Sequence, residues 1–253
     1  MTAIEVRHLV KRYRRTTRNA VDDVSFDVPD GQLCCLLGPN GAGKTSIVSI
    51  LTTVLTPTAG QVRIAGLDLA AQRPLIRREI GVVFQQPSLD QNLTAEENVR
   101  LHAVLYRLYP WRPSHRLMPR GYRQQVAALA GLLGIDGQLG RPVRTLSGGT
   151  RRKLEIVRAL LHQPRILFLD EPTTGLDPQS RRSLWAHLRQ ARAAHGTTVV
   201  LTTHYLEEAE TAESVYILSD GQILDSGSPA EVKARYRGPT LEDAYLRLLG
   251  QTR

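Results

Sequence analysis

Eight consecutive residues, Gly38-Pro39-Asn40-Gly41-Ala42-Gly43-Lys44-Thr45, combine three glycines with a lysine and a hydroxyl. Without Cβ atoms, the glycines let backbone N–H groups turn inward on a phosphate chain, and a helix starting there adds the positive end of its dipole. Lys44 would reach the β- and γ-phosphates of a nucleotide, the Thr45 hydroxyl would hold Mg²⁺, and Ser46 completes the cradle. At average residue frequencies the pattern arises by chance in about one chain of this length in a hundred. Here the buried-strand run Leu33–Leu37 leads into it and the helical pattern Ile47, Ile50, Leu51, Val54 follows it. It is a nucleotide loop.

Further along, Ile166-Leu167-Phe168-Leu169-Asp170-Glu171-Pro172 is four apolar residues closed by two carboxylates. Asp170 then stands at the C-terminal edge of a parallel strand, where α/β sheets bind ligands. It would bind in the Mg²⁺ shell, and Glu171 would polarise the attacking water. Leu146-Ser147-Gly148-Gly149-Thr150 precedes another helical pattern (Leu154, Ile156, Val157, Leu160, Leu161). Ser147 and the amides of Gly148 and Gly149 therefore stand at a second helix N-terminus able to hold a phosphate.

These groups need a scaffold, and the chain supplies strands alternating with helices. Ile4, Val6 and Leu9 alternate loosely, and Val24, Phe26 and Val28 alternate cleanly before the turn Pro29-Asp30-Gly31. Further strands are expected at Val62–Ile64, Ile80–Phe84, Ile166–Leu169, Thr198–Leu201 and Val215–Leu218, the alternation of an α/β fold. From Glu96 to Leu161 the strand pattern gives way to helical spacing (Val126, Leu129, Leu132, Leu133), as in an inserted helical subdomain. Within it, Arg107–Arg123 holds three prolines and five arginines with no acidic residue, and reads as an exposed loop or broken helix. The tail Thr240–Leu249 has Thr240 capping toward Asp243, then Leu241, Ala244, Tyr245, Leu248 and Leu249 on one side, an amphipathic helix expected to pack on its own domain.

Composition narrows the classes. With 253 residues, 42% apolar and 23% charged, the chain is globular and long enough for a full core, which excludes disordered and collagen-like readings. Its two cysteines, Cys34 and Cys35, are neighbours in an apolar run, so buried thiols in a cytosolic protein are expected. No apolar stretch approaches a membrane span, and no cleaved signal is expected. The net charge of +9 suits nucleic acid, anionic lipid or nucleotides alike. His8, His102, His115, His162, His187 and His195 show no metal spacing and are expected to be surface or packing residues.

Ser-Gly-Gly just upstream of Asp170-Glu171, with the loop at Gly38, makes the chain resemble the ATP-binding-cassette (ABC) ATPases along nearly its whole length. The resemblance implies an α/β P-loop NTPase: a RecA-like core with an N-terminal antiparallel β-subdomain and an α-helical subdomain inserted at about residues 88–162. The ABC domain would span 1–235, with the amphipathic helix in 236–253. Four further motifs fall in family order. Tyr13 matches the aromatic that stacks on adenine, and Gln85 matches the glutamine that senses Mg²⁺ and water. Asp177 in Gly175-Leu176-Asp177 matches the dimer-crossing loop, and His204 matches the switch histidine on the γ-phosphate. ATP and Mg²⁺ are the implied cofactors. Two copies would clasp two ATP molecules head to tail, each between Lys44 of one copy and Ser147 of the other.

The resemblance also implies ATP hydrolysis powering a separate transmembrane permease subunit, at the cytoplasmic face of the cell membrane. A short permease helix would dock beside Gln85–Asn98, where Gln86, Pro87, Leu89 and Leu93 form a partly apolar lip. Leu241-Glu242-Asp243-Ala244-Tyr245-Leu246 and the lack of an extra C-terminal regulatory domain resemble the ABC-2 drug exporters, implying drug-like or lipid cargo, with polysaccharide as the second choice. Thr150 departs from the family's Gln or Met; lying past the phosphate-binding residues, it is expected to tune the dimer interface. The competing reading is a soluble ABC ATPase acting on nucleic acid. Those resemble paired cassettes or a cassette split by a coiled coil, and one cassette without heptads leaves no nucleic acid expected.

Overall fold

The structure is a computed structural model. It describes residues 2–14, 16–86 and 88–251, without the side chains of Ala194, His195 and Gln251. Pro87 of the expected docking lip, the side chain of His195 and the last two residues of the tail segment lie outside the described residues. The chain forms two compact units, one of Met1–Arg77, Phe168–Glu171 and Thr198–Arg253, the other of Arg78–Leu167 and Pro172–Thr197.

The first unit opens with β1 (Thr2–Lys11) and β2 (Val21–Pro29), then β3 (Leu33–Leu37), α1 (Lys44–Leu51), β4 (Ala59–Ile64), β5 (Leu67–Asp68) and α2 (Arg73–Glu79). An antiparallel sheet has the order β2-β1-β4-β5. Val6 pairs with both Phe26 and Val62, so the alternating apolar positions share one buried face. This is the expected N-terminal β-subdomain. All five residues of β3 are buried, as a strand covered on both faces requires. Burial pushes the Cys34 thiol up to about 12 and also raises Cys35 well above the usual thiol range, so both are inert packing groups. Val54, the last residue of the expected helical pattern, lies beyond α1 and is 61% exposed. Thr53 takes a left-handed φ of 66°, which ends the helix first.

The second unit begins with β6 (Ile80–Val83) and carries α3 (Ala95–Leu105), α4 (Arg120–Leu132), α5 (Gly148–Leu160), the start of β7 (Ile166–Asp170) and α6 (Pro178–His195). Thr94 and Glu97 close a capping box on α3, which fixes where that helix starts. The helical stretch 88–162 lies inside this unit, which extends further at both ends.

The chain returns to the first unit with β8 (Thr198–Thr203), α7 (Leu206–Ala209), β9 (Ser214–Ser219), β10 (Gln222–Gly227), α8 (Pro229–Arg235) and α9 (Leu241–Gln251). The second sheet has the order β10-β9-β3-β8-β7-β6. β3 runs parallel to both β8 and β9, Leu37 sitting opposite Thr203 and Ile217. β10 was not read from sequence. Its half-buried residues lack alternation, although Asp220-Gly221, both at positive φ, is a hairpin-turn signal. On α9, Leu241, Ala244 and Leu248 are buried and the helix packs on α8, while Thr240 caps through the Asp243 N–H at 3.1 Å.

Candidate nucleotide site

The loop between β3 and α1 has its shape because larger residues do not fit it. Gly43 caps α1 at φ 102°, and a Cβ there would lie 2.4 Å from the Ala20 carbonyl oxygen. A Cβ on Gly38 would lie 2.4 Å from the Leu218 carbonyl oxygen. Lys44, 4% exposed, donates from Nζ to the carbonyls of Gly38 at 2.7 Å and Pro39 at 2.9 Å. Burial holds its pKa below the usual lysine range, while Glu171 and Asp170 act in the opposite sense.

Asp170 ends β7 and Glu171 follows it, both within the same unit. Asp170, 2% exposed, accepts from the Thr202 hydroxyl of β8 and also bonds the Thr45 side chain. Burial raises its pKa despite those bonds. Glu171 takes a left-handed φ of 45° and is held there by its N–H, which donates to Thr202 O and Oγ1, each at 3.1 Å. That strained turn aims the carboxylate across the loop. Glu171 Oε1 lies 3.8 Å from Lys44 Nζ and 3.3 Å from His204 Nδ1. A cation, an acceptor and an imidazole thus stand side by side where α1 begins. The hydroxyl of Thr45 and the carboxylate of Asp170, already bonded to each other, are hard oxygen donors of the kind Mg²⁺ takes, with water and phosphate completing the shell. The donor set fits that ion.

Tyr13 borders a 650 Å³ pocket lined also by Asn19, Ala20, Gly41, Asp220 and Gly221. Its hydroxyl lies 3.0 Å from Ser46 Oγ, Lys11 Nζ sits 5.5 Å from its ring centre, and 40% of it is exposed. The ring is thus held at its hydroxyl end and remains partly open to solvent at the rim of the pocket.

Gln85, Ser147, Gly148, Gly149 and Asp177 belong to the other unit. Ser147 caps α5, accepting from the Thr150 N–H at 3.2 Å. The expectation that the Thr150 side chain lies past this loop needs correcting: its hydroxyl is 2.9 Å from Ser147 Oγ. One helical turn brings the third residue after a cap back beside it. Asp177 caps α6 through the Ser180 N–H at 2.9 Å, with Pro178 at the first helical position. Gln85 is exposed on the loop after β6, and Leu89 and Leu93 are half-buried.

Sequence reasoning missed the residues that hold the Gln85 loop. Arg152 Nη1 donates to the Phe84 carbonyl and to Glu155 Oε2, and its Nε donates to the Pro172 carbonyl. Glu155 Oε1 accepts from the Ser88 N–H at 2.9 Å, and Arg158 donates to Ser88 O. Arg152 and Glu155, three apart on the face that also buries Ile156 and Ala159, were the available signal: charged residues inside an apolar stripe.

The ABC transporter family model matches residues 21–174. The chain is 39% identical over 233 residues to the daunorubicin/doxorubicin resistance ATP-binding protein DrrA of Streptomyces peucetius, covering 92% of this chain and 67% of that one. It is 33% identical over 253 residues to the probable multidrug ABC transporter ATP-binding protein YbhF of Escherichia coli (strain K12), covering 98% of this chain but 42% of that one. Among solved structures, an ATP-binding subunit of an ABC transporter superposes with a TM-score of 0.82 at 29% identity, covering 98% and 99% of the two chains. A dimeric post-hydrolysis state of the cassette MJ0796 bound to ADP and Pi superposes at 0.78 with 27% identity, covering 89% and 98%. With the family model matching more than half of its residues, and a fold shared nearly end to end with an ATP-binding subunit, this chain belongs to the ABC transporter family, whose cassettes bind and hydrolyse ATP.

Proposed function

We propose that this chain is the ATPase subunit of a membrane exporter, with Glu171 orienting the hydrolytic water. The carrying observation is the placement of Glu171 Oε1 between Lys44 and His204, beside the bonded pair Asp170 and Thr45. Lys44 and the backbone of Gly38, Pro39, Asn40, Gly41, Ala42, Gly43, Thr45 and Ser46 cradle the phosphates, the proline shaping the loop while the other residues supply the N–H groups, and Tyr13 stacks on the adenine. Thr45 and Asp170 would hold Mg²⁺ and Gln85 would sense it and the water, as its match to the family glutamine suggests; when bound, the ion would supply positive charge against the phosphates. Glu171 accepts a hydrogen bond from water in line with the γ-phosphate, and His204, hydrogen-bonded to Glu171, reads the γ-phosphate. Ser147, Gly148, Gly149 and Asp177 serve the nucleotide of a second copy.

A separate transmembrane permease is the partner, which places the chain at the cytoplasmic face of the membrane. Among the described residues no helix is long and apolar enough to cross a bilayer. The drug-resistance and multidrug names of the relatives support drug-like cargo. The test is Glu171→Gln: ATP binding is retained, steady-state hydrolysis falls by several orders of magnitude, and an ATP-trapped dimer appears on size exclusion. Lys44→Ala loses binding instead. Near-normal turnover in Glu171→Gln overturns the assignment.

A further inference from the structure

The stretch between α3 and α4, wholly within the second unit, is unlike the rest of the surface. No acidic residue occurs between Glu97 and Asp136, whereas Arg107, Arg112, Arg116, Arg120 and Arg123 are all present and exposed. Among the described residues no carboxylate pairs with Arg107, Arg112 or Arg116. Interleaved with them are apolar side chains facing water: Leu105 is 71% exposed, Trp111 62% and Leu117 60%. Residues 110–114 are exposed without a break and form the tip of this connection, with Leu105 and Leu117 exposed to either side of it.

The tip is held from below. His115 Nδ1 lies 3.2 Å from Glu96 Oε1, the carboxylate that also accepts from the Tyr122 hydroxyl at 2.9 Å. Arg100 Nη1 donates to the Arg112 carbonyl at 3.1 Å, the Tyr109 hydroxyl donates to Gln125, and Met118 is 2% exposed. Inward side chains thus fix the backbone while Trp111, Leu117 and the arginines are displayed outward. That display is pre-organised, so little ordering entropy is lost when it engages a surface.

We propose that this tip binds anionic lipid directly, as a membrane contact independent of the permease. Guanidinium groups pair with phosphate headgroups, and tryptophan partitions to the bilayer interface. Cationic and apolar signals act together, as stable peripheral anchoring requires. A fluid interface accepts such exposed side chains without the shaped pocket that a protein partner would have to supply.

The experiment uses the full chain with vesicles of phosphatidylcholine alone or mixed with phosphatidylglycerol, followed by flotation. A Trp185→Phe background leaves Trp111 as the fluorescent reporter. Binding is expected on the anionic vesicles, with a blue shift of Trp111, and is expected to weaken as salt is raised. Arg107→Gln/Arg112→Gln/Arg116→Gln lowers the partition coefficient on the order of a hundredfold, at about a factor of five per basic residue. The corresponding triple lysine variant retains binding, and Trp111→Ser weakens it. ATPase activity and thermal unfolding stay at the parent values in all of these. Equal binding to neutral vesicles, anionic binding that the glutamine triple leaves intact, or no vesicle binding at all each overturns the proposal. In the last case, loss of permease association in the same variants would assign the tip to a protein contact instead.

Discussion

Glu155→Ala tests the support beneath the Gln85 loop. The carboxylate is 1% exposed and has a different partner on each oxygen, Arg152 Nη1 at 3.0 Å and the Ser88 N–H at 2.9 Å. Alanine removes both at once. Arg152, 6% exposed, keeps the carbonyls of Phe84 and Pro172 but loses this charge partner. Breaking a buried ion pair from one side costs about 3–5 kcal/mol. The stranded Ser88 N–H adds little, because Ser88 is exposed and water replaces the lost acceptor. A loss of about 4 kcal/mol is a large part of the roughly 5–15 kcal/mol that holds a typical domain folded. It is read as a drop in the urea midpoint by circular dichroism, with the slope unchanged. Glu155→Gln keeps an acceptor for Ser88 and falls between the parent and alanine. In a cycle with Arg152→Met, the coupling energy should lie at the upper end of the roughly 0.5–3 kcal/mol seen for residues in contact. A cost below about 1 kcal/mol for Glu155→Ala, or strict additivity in the cycle, refutes the reasoning.

Thr202→Val keeps the shape of a fully buried side chain but removes the hydroxyl that donates to Asp170 and accepts from the Glu171 N–H. A hydrogen bond to a charged group is worth about 1.5–3 kcal/mol, so both stability and ATPase rate should fall; unchanged turnover would mean that Asp170 is positioned by other contacts. Tyr13→Ala should raise KM for ATP about tenfold with little change in kcat, since base stacking is worth about 1–3 kcal/mol, and GTP should suffer in parallel. Burial pushes His102 down to about 3, against the Tyr106 ring at 4.2 Å. Its folded pKa lies below its unfolded one, so the unfolded chain binds more protons in that window. Stability is therefore full above about 6.5 and is lost as pH falls toward 3; His102→Phe should flatten this acid limb of the unfolding midpoint.

What the sequence determined by itself was local. A glycine run before a lysine, an apolar run ending in Asp170-Glu171, and a serine ahead of two glycines each carry their chemistry within a few residues. Strand Leu33–Leu37 and the N-cap at Ser147 were legible for the same reason, because burial on both faces and capping leave short-range patterns. The tertiary structure alone decided what depends on contacts distant along the chain. Thr202 reaches Asp170 and Glu171 only because β8 carries it to their height, and no pattern near Thr202 marks it. The contact of the Thr150 hydroxyl with Ser147, three residues away, is by contrast local helix geometry. Arg152 and Glu155 sit in an apolar stripe, where composition alone cannot tell a pairing network from a solvated edge. The exposure of Arg107–Arg123 was legible from its prolines and arginines, but that Tyr109, His115 and Met118 turn inward while Trp111 and Leu117 face solvent was decided by packing. Side-chain chemistry is written residue by residue, but a buried charge or an exposed tryptophan is defined by its neighbours, and those neighbours are set by the fold.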